Sequence, residues 1–204
     1  MLMKDLKHAI TKRKKVIHVG GYDGEERYWY HDMGFGGVLW VEPNPEAFKQ
    51  LKINIAPYSN QMALNVGLHD TLRKATLHVA NNGMSSSLLE MGTHLKHHPK
   101  VQYIKDIDVK LMSGRELFEV YGFCAEDYNF LNIDVQGTEL NVIKSFGDYI
   151  DEFDYIYAEV NEEHLYKDCC LVGEIDEYLS QYRFKRIVTH MTDHRWGDAL
   201  YIKT

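Results

Sequence analysis

Val16-Ile17-His18-Val19-Gly20-Gly21-Tyr22-Asp23-Gly24 is the stretch on which the fold turns. A short β-branched run ends in glycines, where the backbone must turn tightly and a ligand can approach closely. Residues 24–33 (GEERYWYHDM) then read as helix. Twenty-two residues beyond Gly20 stands Glu42, at the end of a second strand, GVLWVEP. An acid at that interval can accept hydrogen bonds from both hydroxyls of a ribose. Together the turn and the acid point to an adenosine-containing ligand.

Outward from this unit, strands and helices alternate. Asn44-Pro45-Glu46 supplies a cap, a first-turn proline and an acid at the positive end of a helix. Ala47, Phe48, Leu51 and Ile55 form its apolar stripe. Residues 62–68 (MALNVGL) read as a third strand. Residues 75–81 and 101–109 form an inserted hairpin-like excursion with the MSSSLL turn between them. A buried strand at 128–137 leads into a helix carrying Leu140, Ile143 and Phe146, stopped by Gly147. A strand at 155–161, a helix at 171–182 and two terminal strands complete the chain. The pattern predicts one α/β domain over residues 1–204, with a mostly parallel sheet, helices on both faces and an antiparallel C-terminal pair. Residues 1–15 are expected to be a helical lead-in, with Lys12, Arg13, Lys14 and Lys15 at its solvated end. In such sheets ligands sit at the carboxyl ends of the strands, where strand order reverses.

Thirty acids against 23 bases give a formal charge of -7 over 204 residues, so nucleic acid is not the expected partner. The three cysteines, Cys124 and the adjacent Cys169 and Cys170, are a poor disulfide framework. No apolar run reaches membrane-spanning length, and the first fifteen residues lack a signal-peptide core. A soluble, intracellular, cytoplasmic setting with no membrane partner is the expectation.

The ligand class follows from charge and spacing. Glycines at 20, 21 and 24 depart from the dinucleotide spacing, and Glu25 and Glu26 at the helix start would repel a pyrophosphate. They would not repel S-adenosylmethionine, a sulfonium without phosphate. None of the fourteen tyrosines has a lysine four residues on, which sets an NAD-linked oxidoreductase behind. A module that binds S-adenosylmethionine without turnover is the non-enzyme alternative.

Five segments occur in order: residues 18–26 (HVGGYDGEE), 40–45 (WVEPNP), 65–70 (NVGLHD), 85–88 (SSSL) and 132–140 (NIDVQGTEL). This set resembles the FkbM-type family of S-adenosylmethionine-dependent methyltransferases. The resemblance implies a Rossmann-like seven-stranded fold and O-methylation of a hydroxyl on a sugar or small natural product. It implies that Gly20, Gly21, Asp23 and Gly24 pass under the methionine part of the cofactor. Glu42 and Pro43 would hold the ribose, and Val66 would flank adenine. Asp134 lies near the methionine part or the reacting hydroxyl, where a carboxylate could orient or deprotonate an attacking OH. Glu159 and His164 are the further catalytic candidates, with Glu162, His190 and His194 in neighbouring loops. Ser86, Glu162, His190 and Trp196 are assigned to the carbohydrate or small-molecule acceptor, Trp196 because its flat face suits the C–H face of a sugar. Asp134, Glu159 and Asn161 are the oxygen donors a magnesium ion would need. Their spacing is not a motif, and no metal is expected. His94, His97 and His98 read as a solvated helix face.

Overall fold

The structure, a computed structural model, describes residues 6–71 and 73–204. Its large sheet contains β1 (Lys15–Val19), β2 (Gly37–Val41), β3 (Gln61–Leu64), β7 (Tyr128–Ile133), β8 (Tyr155–Asn161), β9 (Phe184–Met191) and β10 (Trp196–Lys203). The order is β3-β2-β1-β7-β8-β10-β9, with β10 antiparallel to both neighbours. The order reverses between β1 and β7, so their carboxyl ends open a crevice. The seven-stranded sheet and its antiparallel terminal pair agree with the sequence reading.

Both faces of the sheet are covered, which is why the central strands are apolar almost throughout. Alternate residues separate the two cores. Ile17, Val19, Leu131 and Ile133 face α4 (Gly114–Glu119), α5 (Glu139–Ser145) and α6 (Val172–Ser180). Val16, Trp40, Phe130 and Leu200 face the side of α1 (Arg27–Asp32) and α2 (Pro45–Ile55). Asn44 caps α2 by accepting from the Glu46 N–H at 3.0 Å.

The inserted strands form a second sheet, with β6 (Tyr103–Met112) between β4 (Gly67–Leu68) and β5 (Lys74–Ala80). The stretch 62–68 is therefore two strands, not one. Asn65 marks the break: its amide donates to the carbonyls of Glu42 and Pro43 at 2.8 and 3.0 Å, and Gly67–Leu68 then pairs with Leu111–Met112. The short α3 (His94–His97) falls where a helix face was expected, whereas α4 was not anticipated. Ser113 and Glu116 form a reciprocal capping box at the start of α4.

The helical lead-in is also corrected. Residues 1–5 lie outside the described residues, 6–9 make a turn, and 10–14 are irregular up to β1. The basic cluster is not a helix end. Lys12 pairs with Asp154 at 3.3 Å and Lys15 with Asp127 at 2.6 Å, while the Lys14 N–H donates to Asn129. Buried Leu6 and Ile10 seat the segment against the sheet.

Candidate active site

The β1 turn is built backbone to backbone against the end of β7. Gly20 sits at φ +86°, and a Cβ there would lie 1.7 Å from the Asp134 carbonyl oxygen. Its N–H donates to Val41 and the Asp134 N–H to Val19, so the ends of β1, β2 and β7 share one knot. Gly21 and Gly24 do other work. They pack beneath Trp40 and Leu51 and do not line the cleft. His18 is buried against Trp40 and hydrogen-bonded by Tyr30 and Asn132; burial lowers its pKa to about 4, which keeps the ring neutral.

Over this knot lies a cleft lined by Gly20, Tyr22, Glu42, Pro43, Gly67 and Asp134, among others. Glu42 accepts from the Tyr22 N–H at 2.8 Å and the Asn44 N–H at 2.7 Å, one on each oxygen. Its remaining lone pairs are available to a pair of hydroxyls. Leu68, Leu77, Leu88 and Leu111 supply an apolar wall for a flat base. Among the described residues no Lys or Arg lines the cleft. That donor set fits a nucleoside without phosphate and leaves a pyrophosphate uncompensated. S-adenosylmethionine fits the residues present.

Burial pushes the Glu42 carboxyl up to about 7, against the two backbone N–H groups that favour its charge. The ionised form is the better acceptor for hydroxyls. Cofactor affinity should therefore be full above pH 7 and fall as pH drops below it. Titration calorimetry with S-adenosylhomocysteine should show this fall, and Glu42→Gln should flatten it. Glu42→Ala should weaken binding by about 1.5–3 kcal/mol, the range for charge-assisted hydrogen bonds. Unchanged affinity in a folded Glu42→Ala protein would exclude Glu42 from the cofactor.

Asp134 opens into the cleft, and a residue absent from the sequence reading holds it there. Gln136, at φ +59°, turns its amide back between two carboxyl groups. Its Nε2 donates to Asp134 at 2.6 Å and also to Glu159. Its Oε1 accepts from the Tyr166 hydroxyl at 2.6 Å, and its carbonyl from Ser87 at 2.6 Å. Gln136 is the hub of the site. Glu139 caps the same turn, accepting from the N–H groups of Gly137 and Val135.

Five acids, Asp134, Glu139, Glu159, Glu26 and Asp198, lie close enough around this hub to feel one another's charge. Burial, followed by the nearby charges of Asp134 and Glu139, drives Glu159 far above the ordinary carboxyl range. Asp134 is also raised, chiefly by desolvation. Glu26, at the start of α1, is pushed up to about 7 by burial, and Asp198 accepts a hydrogen bond from Tyr157. Like charges this close resist ionising together, which adds to the upward shifts of Glu159 and Asp134.

A second cavity adjoins the first and shares Asp134 and Gln136 with it. Glu159, Asp198, Ser85, Trp196, His94 and His98 line it. Of the candidates from sequence, Gly20, Glu42, Pro43 and Asp134 meet in the first cavity, and Asp134, Glu159 and Trp196 in the second. Ser86 lines the first cavity, not the second, with its hydroxyl donated to the Gly83 carbonyl at 2.6 Å. Val66 is packed in the core, and Gly67 and Leu68 take the place expected for it. Asp23 lies off the cleft, where its carbonyl accepts from Asn54.

His164, Glu162 and His190 line neither cavity. His164 is exposed, with its ring nitrogen on the Cys169 carbonyl at 3.1 Å. Glu162 pairs with Arg195 at 3.2 Å, and His190 is exposed on β9, the edge strand of the sheet among the described residues. The reading of His94 as part of a solvated face is overturned, since it is only 4% exposed. Among the described residues no three His, Cys, Asp or Glu side chains are grouped so as to hold a metal ion.

The chain is similar to several known methyltransferases. The 2-O-methyltransferase NoeI of Sinorhizobium fredii (strain NBRC 101917 / NGR234) is 23% identical over 160 residues, 74% of this chain and 65% of NoeI. The chain thus spans about 65% of the length of that curated relative. Among solved structures, M. capricolum TrmK in complex with S-adenosylhomocysteine has a TM-score of 0.58 at 8% identity, covering 99% of this chain and 67% of TrmK. PH1948 of Pyrococcus horikoshii, described as an RNA methyltransferase, has a TM-score of 0.52 at 11% identity, covering 99% and 81%. The fold therefore gives no support to excluding nucleic acid. No described helix is long and apolar enough to cross a membrane. The family model of the methyltransferase FkbM domain matches residues 18–186, so the chain belongs to the FkbM family of methyltransferases.

Proposed function

We propose that the protein methylates a hydroxyl oxygen of a carbohydrate or small natural product. The observation that carries this reading is the position of Asp134, shared by both cavities and held by Gln136. When bound, S-adenosylmethionine supplies an electrophilic methyl group on a positively charged sulfur. An alcohol is a poor nucleophile until its proton is drawn away, and a carboxyl with a raised pKa is a better base than an ordinary one. Asp134 takes the hydroxyl proton as the new O–C bond forms and the C–S bond breaks, the electron pair staying on sulfur. Gln136 fixes the direction of the receiving oxygen, and Trp196 offers its face to the acceptor ring. The developing charges cancel, so positioning contributes most of the remaining rate. NoeI, named a 2-O-methyltransferase, supports oxygen as the target.

The test is release of S-adenosylhomocysteine over a panel of pyranosides and phenols, with the product's methyl located by NMR. A methyl ether is expected. Methyl found on nitrogen or carbon, or cofactor binding with no transfer to any member, would reject the reading. Gln136→Ala should lower turnover about tenfold or more by freeing both carboxylates, with cofactor affinity nearly kept.

A further inference from the structure

One wall of the second cavity carries three rings, each with a buried nitrogen that has no partner. His94 Nδ1, His98 Nε2 and Trp196 Nε1 are buried and accept or donate no hydrogen bond. Beside Trp196 in the β8–β10 register, the buried Asn161 amide is likewise unpartnered. Buried polar atoms are nearly always paired, so a group of orphans on one cavity wall marks where a ligand supplies the partners. The wall is also braced. His94 lies 5.0 Å from His98 and 5.4 Å from Tyr166, ring to ring, and Tyr166 donates to Gln136. His98 in turn meets His194 at 5.1 Å. The histidines are thus tied, through Tyr166, to the amide that donates to both Asp134 and Glu159.

Charge narrows the ligand. Burial and the neighbouring imidazoles lower the pKa of both histidines, His94 to about 4, so the wall is neutral near pH 7. Facing it are Asp134, Glu159 and Asp198, and among the described residues no Lys or Arg lines either cavity. A phosphate or carboxylate placed here would meet carboxyl groups with no cation to offset them. A hydroxyl can both donate to a carboxylate and pair with a neutral imidazole or indole N–H.

We propose that His94, His98 and Trp196 form the acceptor-binding wall of this site, and that with the acidic floor they select an uncharged, hydroxyl-rich ring over its phosphorylated or carboxylated counterparts. The inference rests on the reading above, in which the acceptor hydroxyl reacts at Asp134. A neutral methyl pyranoside should be methylated with kcat/KM at least tenfold above its 6-phosphate and its uronate. His94→Ala should raise KM for the neutral pyranoside at least tenfold, more than it lowers kcat, with S-adenosylhomocysteine affinity within about twofold. His94→Asn, which restores a polar group near Nδ1, should recover part of the KM.

Equal or better transfer to the charged sugars, transfer only to acceptors that are not hydroxyl-rich rings, or no transfer at all would overturn the selection. An unchanged KM in His94→Ala, or a loss shared with cofactor affinity and not recovered by asparagine, would remove His94 from the acceptor. Methyl transfer that persists while these expectations fail sinks only this inference. Absence of any transfer from S-adenosylmethionine sinks the methyltransferase reading with it.

Discussion

Asp134→Asn is expected to lower turnover by about 10²–10⁴-fold, the usual contribution of a positioned general base. Affinity for S-adenosylhomocysteine should change much less. The substitution is nearly isosteric, and the Asn side-chain oxygen can still accept from Gln136, so the turn at the end of β7 keeps its hydrogen bonds. What is lost is the group that takes the proton. Glu159 stands across the same amide and is the only nearby candidate to substitute among the residues bonded to Gln136. Its carboxyl is held high partly by the charge of Asp134, so removing that charge lowers its pKa. The residual activity should then depend on Glu159, and a further Glu159→Gln change should abolish it. If cofactor affinity falls while turnover at saturation does not, Asp134 is a cofactor ligand and the base lies elsewhere.

Gly20→Ala should cost at least about 3 kcal/mol, since a non-glycine residue at positive φ alone costs about 1–3 and a backbone clash adds to it. For a chain of this size that corresponds to a fall in Tm of roughly 6–12 °C. Cofactor binding should be lost as well, because the added Cβ, 1.7 Å from the Asp134 carbonyl, can be relieved only by parting the ends of β1 and β7. Gly34→Ala is the control. Gly34 also has a positive φ of +76°, but nothing lies within 4 Å of a Cβ there. It isolates the strain of the backbone, about 1–2 kcal/mol. Equal losses in the two variants would mean that the approach of the two strand ends contributes nothing.

The strand–helix alternation was legible because each central strand is a short β-branched or aromatic run; 155–161 coincides with β8 to the residue. The pairing of Glu42 with the glycine turn was also legible, since interval and strand-end position both derive from the βαβ geometry. Gln136 was not. Nothing local marks it, and its importance comes from a positive φ that aims its amide between acids 25 residues apart in the chain, Asp134 and Glu159. His94 was missed for a related reason. Four residues of helix carry no readable amphipathic pattern, and what buries the ring is Tyr166, far along the chain. By contrast, Ser113 and Glu116 have the spacing of a capping box, a signal of α4 that was present and went unread. The division of residues 62–68 between two sheets depends on Asn65 reaching back to the carbonyls after β2, a contact no periodicity reports.

The central pairing of β1 with β7 has a consequence for how the chain folds. His18 and Asn132, which meet in that pair, are 114 positions apart. At roughly 5–20 residues per second of synthesis, β1 waits on the order of 6–23 s for its inner neighbour. During that time β3, β2 and β1 can assemble, leaving β1 as a bare apolar edge at what will become the middle of the sheet. Joining the halves closes a long loop before most long-range contacts reward it, which places this step late and makes it slow. The knot between Gly20 and Asp134 is completed only then. The cofactor cleft is therefore among the last parts of the molecule to exist, and a nascent chain cannot be rescued by its cofactor before that pairing is made.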